Sequence, residues 1–196
     1  MVFGYCVPVR LVFGPGKLEA LGRETARHGG KALVVTSGSS KRTGLLARAV
    51  KLEPGYAWAW NERGITLEIL GRYEDAVEAY QRAAQAEPDN PLYWYNRGDT
   101  LVLLKQHDAA LISLQRALEA DPRYVRAWAK QGQALRRMGR HEEALASYSR
   151  AVELAPDYAW AWNGRGLALS ALGRHEEGLA CFRQADALYY IADDYT

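Results

Sequence analysis

A repeat of 34 residues constrains the fold of this chain more than any other feature of its sequence. Tryptophan recurs at this spacing, and glycine and leucine follow it in the same register. A register kept by several residue types indicates stacked copies of one supersecondary unit. The four units span 57–90, 91–124, 125–158 and 159–192. The repeated positions are Trp60, Trp94, Trp128 and Trp162; Gly64, Gly98, Gly132 and Gly166; and Leu67, Leu101, Leu135 and Leu169.

Each unit is predicted to form two antiparallel helices. In the first unit, Trp60, Gly64 and Leu67 are spaced i, i+4 and i+7, which places them on one face of a helix. Tyr80 and the alanines around it repeat that spacing on a second helix, and Gly71 marks the turn between the two. Because one helical pair cannot bury its apolar face alone, the units must stack and share a core.

These residues resemble the tetratricopeptide repeat (TPR) family over about residues 42–192. The resemblance implies a mostly α fold, a superhelix of four helix–turn–helix units preceded by a half unit in the segment LLARAVKLEPGY. In the last unit, Gly178 replaces a packing alanine and Tyr190 stands in place of the proline. No separate polar helix caps this end, so we expect that the array can self-associate through its C-terminal end.

The first 44 residues follow a different pattern, and we predict that they form a small α/β segment apart from the TPR array of 45–196. They resemble the N-terminus of iron-containing alcohol dehydrogenases, a likeness that extends to about residue 50. The predicted order is strand, turn, helix and strand, over residues 7–13, 14–16, 17–28 and 31–36.

The dehydrogenase resemblance implies a metal and NAD, but the parts that bind them are missing. In that family the glycine-rich cofactor loop lies further along the chain, and the metal ligands lie in a helical C-terminal domain. Two strands and a helix cannot form the crevice that a dinucleotide requires. We therefore predict no enzyme activity and no cofactor. The alternative is a non-catalytic remnant or fragment of an iron-containing, NAD-dependent alcohol dehydrogenase fused to TPRs.

No side chains are arranged for catalysis or for metal binding. His107, His141 and His175 share one repeat position, so their side chains are not expected to converge on one ion. Cys6 and Cys181 lie far apart, which fits a reducing compartment, and we expect a cytoplasmic protein. No apolar run approaches the roughly 20 residues of a membrane-spanning helix, and the start lacks the features of a signal peptide.

Net charge disfavours a nucleic-acid partner. The chain carries +2 overall, but seven Lys/Arg and two Glu give the first 44 residues +5, which leaves the repeat region at −3. The aromatic residues of that region also follow the packing periodicity. A protein or peptide is the expected partner, with no nucleic acid and no membrane.

The TPR resemblance implies that the first helices of the units line a concave groove, with their second, fifth, ninth, twelfth and thirteenth positions facing it. Groove positions of this kind include Glu68, Ile69, Leu92, Leu103 and Leu167. The predicted peptide-binding residues are Trp58, Asn61, Tyr95, Asn96, Asp99, Arg126, Lys130, Gln133, Arg137, Trp160 and Asn163.

The third unit is unusually basic. No acidic residue occurs before Glu142 in a stretch that contains Arg126, Lys130, Arg136, Arg137 and Arg140. This stretch is either a solvated face or a site for an anion. Guanidinium groups suit carboxylates, which favours an acidic peptide or a C-terminal carboxylate as ligand. The predicted function is a protein–protein interaction scaffold that holds a peptide, acidic in character, in the groove.

Overall fold

In residues 54–193 the computed structural model has eight helices and no strand; it describes residue 51 as well, and side chains up to residue 189. The predicted mostly α fold is confirmed. The predicted α/β segment and the half unit lie outside the described residues, apart from the end of the latter. The helices are α1 Ala57–Ile69, α2 Tyr73–Ala86, α3 Pro91–Leu103, α4 His107–Ala120, α5 Val125–Arg137, α6 His141–Leu154, α7 Ala159–Ala171 and α8 His175–Asp193.

Consecutive helices form hairpins, and the hairpins stack. α1 packs on α2, α3 on α4, α5 on α6 and α7 on α8, while α2, α4 and α6 each also contact the helix that follows. The first helices of successive units touch as well, α3 with α5 and α5 with α7. This arrangement places α1, α3, α5 and α7 side by side in one layer, which presents a continuous surface.

The turn inside each hairpin needs a left-handed residue. Gly71, Gly139 and Gly173 occupy it with φ of 73°, 77° and 78°. The second unit has Lys105 there, with φ of 60°. A side chain in this region costs free energy because its β-carbon crowds the backbone, whereas glycine has none.

Each repeated glycine lets a large side chain of its second helix approach closely. A β-carbon on Gly64 would lie 2.5 Å from Cε1 of Tyr80, and one on Gly166 would lie 2.6 Å from Cε1 of Phe182. Tyr80 is fully buried as a result. Glycine recurs every 34 residues at this position because a larger residue would collide with the side chain of the second helix.

The repeated tryptophans tie each unit to the segment before it. Every one donates a hydrogen bond from its indole Nε1 to the carbonyl oxygen of the proline six residues earlier. The bond satisfies a carbonyl after the preceding helix ends and leaves the indole ring to pack between helices. The pairs are Trp60–Pro54 at 2.8 Å, Trp94–Pro88 at 2.9 Å, Trp128–Pro122 at 2.9 Å and Trp162–Pro156 at 2.8 Å.

The C-terminal end of the array differs from the junctions between units. Ala84, Leu118 and Val152 are buried where one unit meets the next, but the same repeat position in the last unit is Asp186, which is exposed. Leu179, seven residues earlier on the same side of α8, is 49% exposed. This end therefore combines an uncovered leucine with a charge. Self-association through it stays a prediction.

Candidate functional site

The exposed sides of α1, α3, α5 and α7 form a surface that we call the groove face. Its first two helices are joined by the side chains of Asn61 and Asn96, with Nδ2 of Asn96 donating to Oδ1 of Asn61 at 2.8 Å. Asn61 is only 3% exposed. Both asparagines are predicted ligand contacts, and in the structure their first role is to bind each other across the unit junction.

Glu68 also acts between helices of the groove face. Its carboxylate accepts a 3.0 Å hydrogen bond from the hydroxyl of Tyr80 on α2 and another from the hydroxyl of Thr100 on α3. Burial, and then the charge of Glu68, raise the pKa of Tyr80. The tyrosine therefore remains a protonated donor, and Glu68 is engaged inside the fold.

Three units meet at Lys130. Its Nζ lies 2.8 Å from Oδ1 of Asp99 on α3 and 5.0 Å from the centre of the Trp160 ring on α7. The side chains of Lys130 and Asp99 are 18% and 32% exposed, so the pair is partly removed from water. Ammonium groups are attracted to the faces of aromatic rings, and more strongly when partly desolvated. All three residues were predicted as ligand contacts.

A cluster of three tyrosines, Tyr95, Tyr124 and Tyr158, lies beside this triad. The rings of Tyr95 and Tyr124 meet edge to face, with centroids 5.3 Å apart. Burial is the largest influence on the pKa of each of the three and raises it. Tyrosine hydroxyls are protonated at neutral pH, so these three can donate hydrogen bonds, and burial extends that range to higher pH.

Arg126 stands within reach of the tyrosine cluster. Its positive charge lowers the pKa of Tyr95, Tyr124 and Tyr158, against the larger effect of burial. The Arg126 side chain is exposed and makes no hydrogen bond or ion pair with another residue that the structure describes. A guanidinium beside hydroxyl donors is an arrangement that binds an anion.

Sequence reasoning missed two members of the tyrosine cluster. Tyr124 and Tyr158 precede α5 and α7 at the N-cap position and fall outside the five repeat positions assigned to the groove. A signal was present, because Tyr56, Tyr124 and Tyr158 share one place in the 34-residue register. That recurrence was available without the structure, although the contact with Tyr95 was not.

Tryptophans flank the groove face at both ends of the array. Trp58 is half-buried and lies 5.8 Å from the ring of Tyr56, measured between centroids. Trp160 lies 6.1 Å from both Tyr148 and Tyr158. Each indole is thus packed against at least one other ring, which restricts its rotation.

Apolar side chains on the same surface are uncovered. Ile69 and Leu103, one repeat apart, are 68% and 58% exposed, and the next position in that row is the exposed Arg137. Leu92 and Leu167 are exposed as well. All belong to the groove positions that the TPR resemblance implied. Large exposed apolar residues that follow one surface are typical of a protein-binding face.

The five basic residues of the third unit do not form one patch. Lys130 is paired with Asp99, and Arg140 makes a double hydrogen bond of 2.6 Å with Glu143 at the start of α6. Arg136 faces Tyr148, whose pKa it lowers against the larger raising effect of burial. Arg126 and Arg137 remain exposed on the groove face.

The remaining predicted residues lie nearby. Asn163 is exposed, while Gln133 is half-buried with its Oε1 enclosed and without a hydrogen-bond partner among the described residues. His107, His141 and His175 are the first residues of α4, α6 and α8. Within the described range, no three His, Cys, Asp or Glu side chains come together in a way that could hold a metal ion.

A second concavity lies between α4 and α6, on the side of the second helices. Its floor includes Gln131, which accepts a 3.0 Å hydrogen bond from Ser147. Among its lining residues, Arg116 pairs with Glu119 and Arg140 with Glu143, so each of these positive charges has a negative partner three residues later. This cleft contains none of the predicted ligand contacts.

In the described part of the chain, no helix combines the length and the apolar character that crossing a bilayer demands.

Comparison with known proteins begins with the repeats. Several family models for the tetratricopeptide repeat match the chain, and together they run from residue 44 to residue 189 without a gap. The matched ranges are 44–91, 64–125, 113–146, 132–173 and 161–189.

A second likeness is to dehydrogenases and is limited to the N-terminal part. The chain is 43% identical over 51 residues to NADH-dependent butanol dehydrogenase B of Clostridium acetobutylicum and 37% identical over 51 residues to butanol dehydrogenase A of the same organism. The match covers 26% of this chain and 13% of either enzyme. The chain thus spans about an eighth of the length of these curated relatives.

Solved structures share the helical arrangement. A crystal structure of MamA superposes with a TM-score of 0.74 at 21% identity, covering 89% of this chain and 98% of that one. MamA from Desulfovibrio magneticus RS-1 gives 0.73 at 21% identity, over 90% and 95%. YrrB, described as a TPR protein with an unusual peptide-binding site, gives 0.67 at 22% identity, over 89% and 86%.

The repeat matches and the short extent of the dehydrogenase likeness agree with the prediction that this chain is not an enzyme. The 34-residue register, the stacked hairpins and the unbroken run of matches lead to one conclusion: over residues 44–189 the chain belongs to the tetratricopeptide repeat family.

Proposed function

We propose that the chain is a protein-interaction scaffold that binds an extended peptide segment on the groove face, with an acidic group of the peptide at Arg126. The observation that carries this proposal is the exposed guanidinium of Arg126, which has no partner among the described residues and lies beside three tyrosines. Peptide binding by YrrB, which has the same fold, supports it.

The chemistry at Arg126 suits a carboxylate. A guanidinium presents parallel N–H donors that match the two oxygens of a carboxylate. Tyr95, Tyr124 and Tyr158 add O–H donors, since tyrosine is protonated at neutral pH and burial raises the pKa of each further. Arg137, exposed on the same helix, offers a second positive group to the peptide.

Apolar contacts supply the rest of the affinity. Ile69 and Leu103 are more than half exposed, and covering a side chain of this size contributes about 1.5–3 kcal/mol. Trp58 and Trp160, near the starts of α1 and α7, provide aromatic surfaces on the first and last helices of the groove face. The proposed ligand therefore has an acidic residue with aliphatic or aromatic residues on its N- or C-terminal side.

The eleven predicted contact residues then divide into two groups. The first group is proposed to touch the peptide and consists of Trp58, Tyr95, Arg126, Arg137, Trp160, Asn163 and Gln133. The second group is proposed to hold neighbouring helices together and consists of Asn61, Asn96, Asp99 and Lys130.

Tryptophan fluorescence tests the proposal, because Trp160 lies at the site. Acidic peptides of alanine, leucine and aspartate are titrated into the full chain and into Arg126→Ala plus Arg137→Ala. We expect binding to weaken by about ten- to a hundredfold in the variant. The matched control, Arg116→Ala plus Arg150→Ala, removes two arginines from second helices and keeps affinity. Equal affinity for all three chains would rule out the groove face as the site.

A second candidate concerns the N-terminal residues, which are 43% identical to a stretch of an NADH-dependent enzyme. In this alternative they are the remnant of an iron-containing, NAD-dependent alcohol dehydrogenase and retain affinity for the cofactor only. Titration calorimetry of the full chain with NAD and Fe²⁺ is the test. Heat that saturates supports the alternative, and its absence removes it.

A further inference from the structure

The ammonium group of Lys130 already interacts with two side chains of the same protein. Asp99 lies 2.8 Å from it and Trp160 covers it at 5.0 Å, so the groove face fills this position with its own carboxylate and its own ring. Only 18% of the Lys130 side chain is exposed, compared with the open Arg126 one helical turn earlier.

The spacing of Arg126 and Lys130 would otherwise suit two acidic groups. Residues four apart on a helix lie about 5–6 Å from each other between β-carbons. Alternate residues of an extended peptide lie roughly 6.6 Å apart and point to the same side. A peptide with aspartates at i and i+2 could therefore reach both basic groups if Lys130 were available.

Asp99 opposes this second acidic group in two ways. It holds the ammonium in an ion pair, and its negative charge remains close to the incoming carboxylate. The reach of that charge is visible at the tyrosine cluster, where Asp99 raises the pKa of Tyr95 and Tyr158 after the larger effect of burial. A second carboxylate at this point would meet repulsion from a group that is only partly screened by water.

We infer that Asp99 is a specificity-determining residue of the groove face: it pairs with Lys130 through an internal carboxylate. The groove therefore accepts a peptide with one acidic group, at Arg126, and discriminates against a peptide with acidic residues at i and i+2. This inference rests on the proposed function, since it concerns the same surface. Trp160 contributes by placing its ring face 5.0 Å from the same ammonium.

The experiment compares two seven-residue peptides of alanine and leucine, one with a single central aspartate and one with aspartates at i and i+2. Affinities are measured by titration calorimetry for the full chain, for Asp99→Asn and for a control, Asp89→Asn, which removes an exposed charge from the α2–α3 link. Asparagine keeps the size of the side chain and its acceptor oxygen, so Lys130 retains a neutral partner.

We expect Asp99→Asn to bind the two-aspartate peptide about tenfold more tightly than the unmodified chain does, with about a twofold change for the one-aspartate peptide. Asp89→Asn keeps the original preference. If Asp99 had only a structural role, Asp99→Asn would weaken the binding of both peptides equally. It would also lower the midpoint of thermal unfolding, which circular dichroism measures.

The outcomes separate the two proposals. If Arg126→Ala does not weaken the one-aspartate peptide, the proposed function fails. If it does, but Asp99→Asn leaves the ratio of the two affinities unchanged, only the inference about Asp99 is overturned. Binding of neither peptide to any of the chains overturns both.

Discussion

The ring of Tyr148 lies against the backbone of Gly164, so close that a β-carbon on this glycine would fall 2.2 Å from Cε1 of the ring. Tyr148 belongs to α6 and Gly164 to α7, so the contact joins the third unit to the fourth. On its other side the ring meets Gly132 of α5, where a β-carbon would lie 2.9 Å away. The tyrosine is therefore held between the first helices of two units and is 1% exposed.

Replacing Gly164 by alanine should destabilise the array. The added methyl group overlaps the ring of Tyr148, and overpacking of this kind costs about 1–3 kcal/mol. This cost outweighs the gain of about 1 kcal/mol from a better helix former. Urea unfolding measures the difference. Gly55→Ala is the control, because no atom of the described residues, its two chain neighbours aside, lies within 4 Å of its β-carbon position. Equal losses in the two variants would contradict the prediction.

Removing one indole donor tests the link between units. In Trp128→Phe the carbonyl oxygen of Pro122 loses its 2.9 Å partner, while an aromatic ring remains to fill part of the space. We expect the free energy of unfolding to fall by about 1–2 kcal/mol, as for a lost hydrogen bond with some lost packing. Trp58→Phe serves as the comparison, since its indole lies on the groove face, and it should cost less. A Trp128→Phe chain as stable as the original would show that water replaces the donor without loss.

The hairpin turn of the second unit offers a stabilising change. Lys105 has φ of 60°, whereas the other three units place glycine in this turn. Lys105→Gly removes the crowding of the β-carbon, worth about 1–2 kcal/mol, and adds a smaller entropy cost in the unfolded chain. We expect a net gain of about 0.5–1 kcal/mol in urea unfolding. Lys105→Ala keeps a β-carbon and should give no gain, so parallel behaviour of the two variants would refute the explanation.

Alkaline pH should lower the free energy of unfolding of the array, because the pKa values of buried tyrosines are raised by folding. Burial, and then Glu87, raise the pKa of Tyr93 to about 12, while tyrosine in an unfolded chain titrates near pH 10. Above about pH 10 the unfolded chain loses this proton and the folded chain keeps it, so the free energy of unfolding falls as pH rises towards about 12. Burial raises the pKa of Tyr80 in the same direction.

Urea unfolding at a series of pH values from neutral to about 12 measures this slope. Tyr93→Phe should flatten it, because phenylalanine has no proton to lose. At neutral pH the same variant should show no gain over the original chain. A slope that is identical with and without the Tyr93 hydroxyl would show that other groups govern alkaline unfolding.

The charge at the C-terminal end should limit association of the array. Asp186 stands where earlier units bury an aliphatic side chain, and Leu179 is exposed seven residues earlier on the same side of α8. Asp186→Val should join these positions into one apolar patch and increase the mass measured by sedimentation as the concentration rises. Ala187→Val adds the same side chain one position away and should have a smaller effect. Equal masses for all three chains would mean that this end does not govern association.

The sequence by itself determined the architecture. A 34-residue register that includes Trp128, Gly132 and Leu135 leaves room only for two short helices and two turns in each unit. Such patterns are readable because the contacts that they record are local, within a hairpin or between a tryptophan and a proline six residues earlier. The TPR resemblance, which rests on this register, implied which helices have the exposed sides that form the groove face.

Only the tertiary structure decided which groove residues are free to meet a ligand. Asn61 and Asn96, or Asp99 and Lys130, are about one repeat apart in the chain, and nothing in their spacing shows that they bind each other. Whether such side chains meet depends on the displacement of one unit against the next, which is set by large residues such as Tyr148. For this reason the sequence could not show that the five basic residues of the third unit differ in availability. In the fold, Lys130, Arg136 and Arg140 interact with Asp99, Tyr148 and Glu143. Arg126 and Arg137 stay exposed.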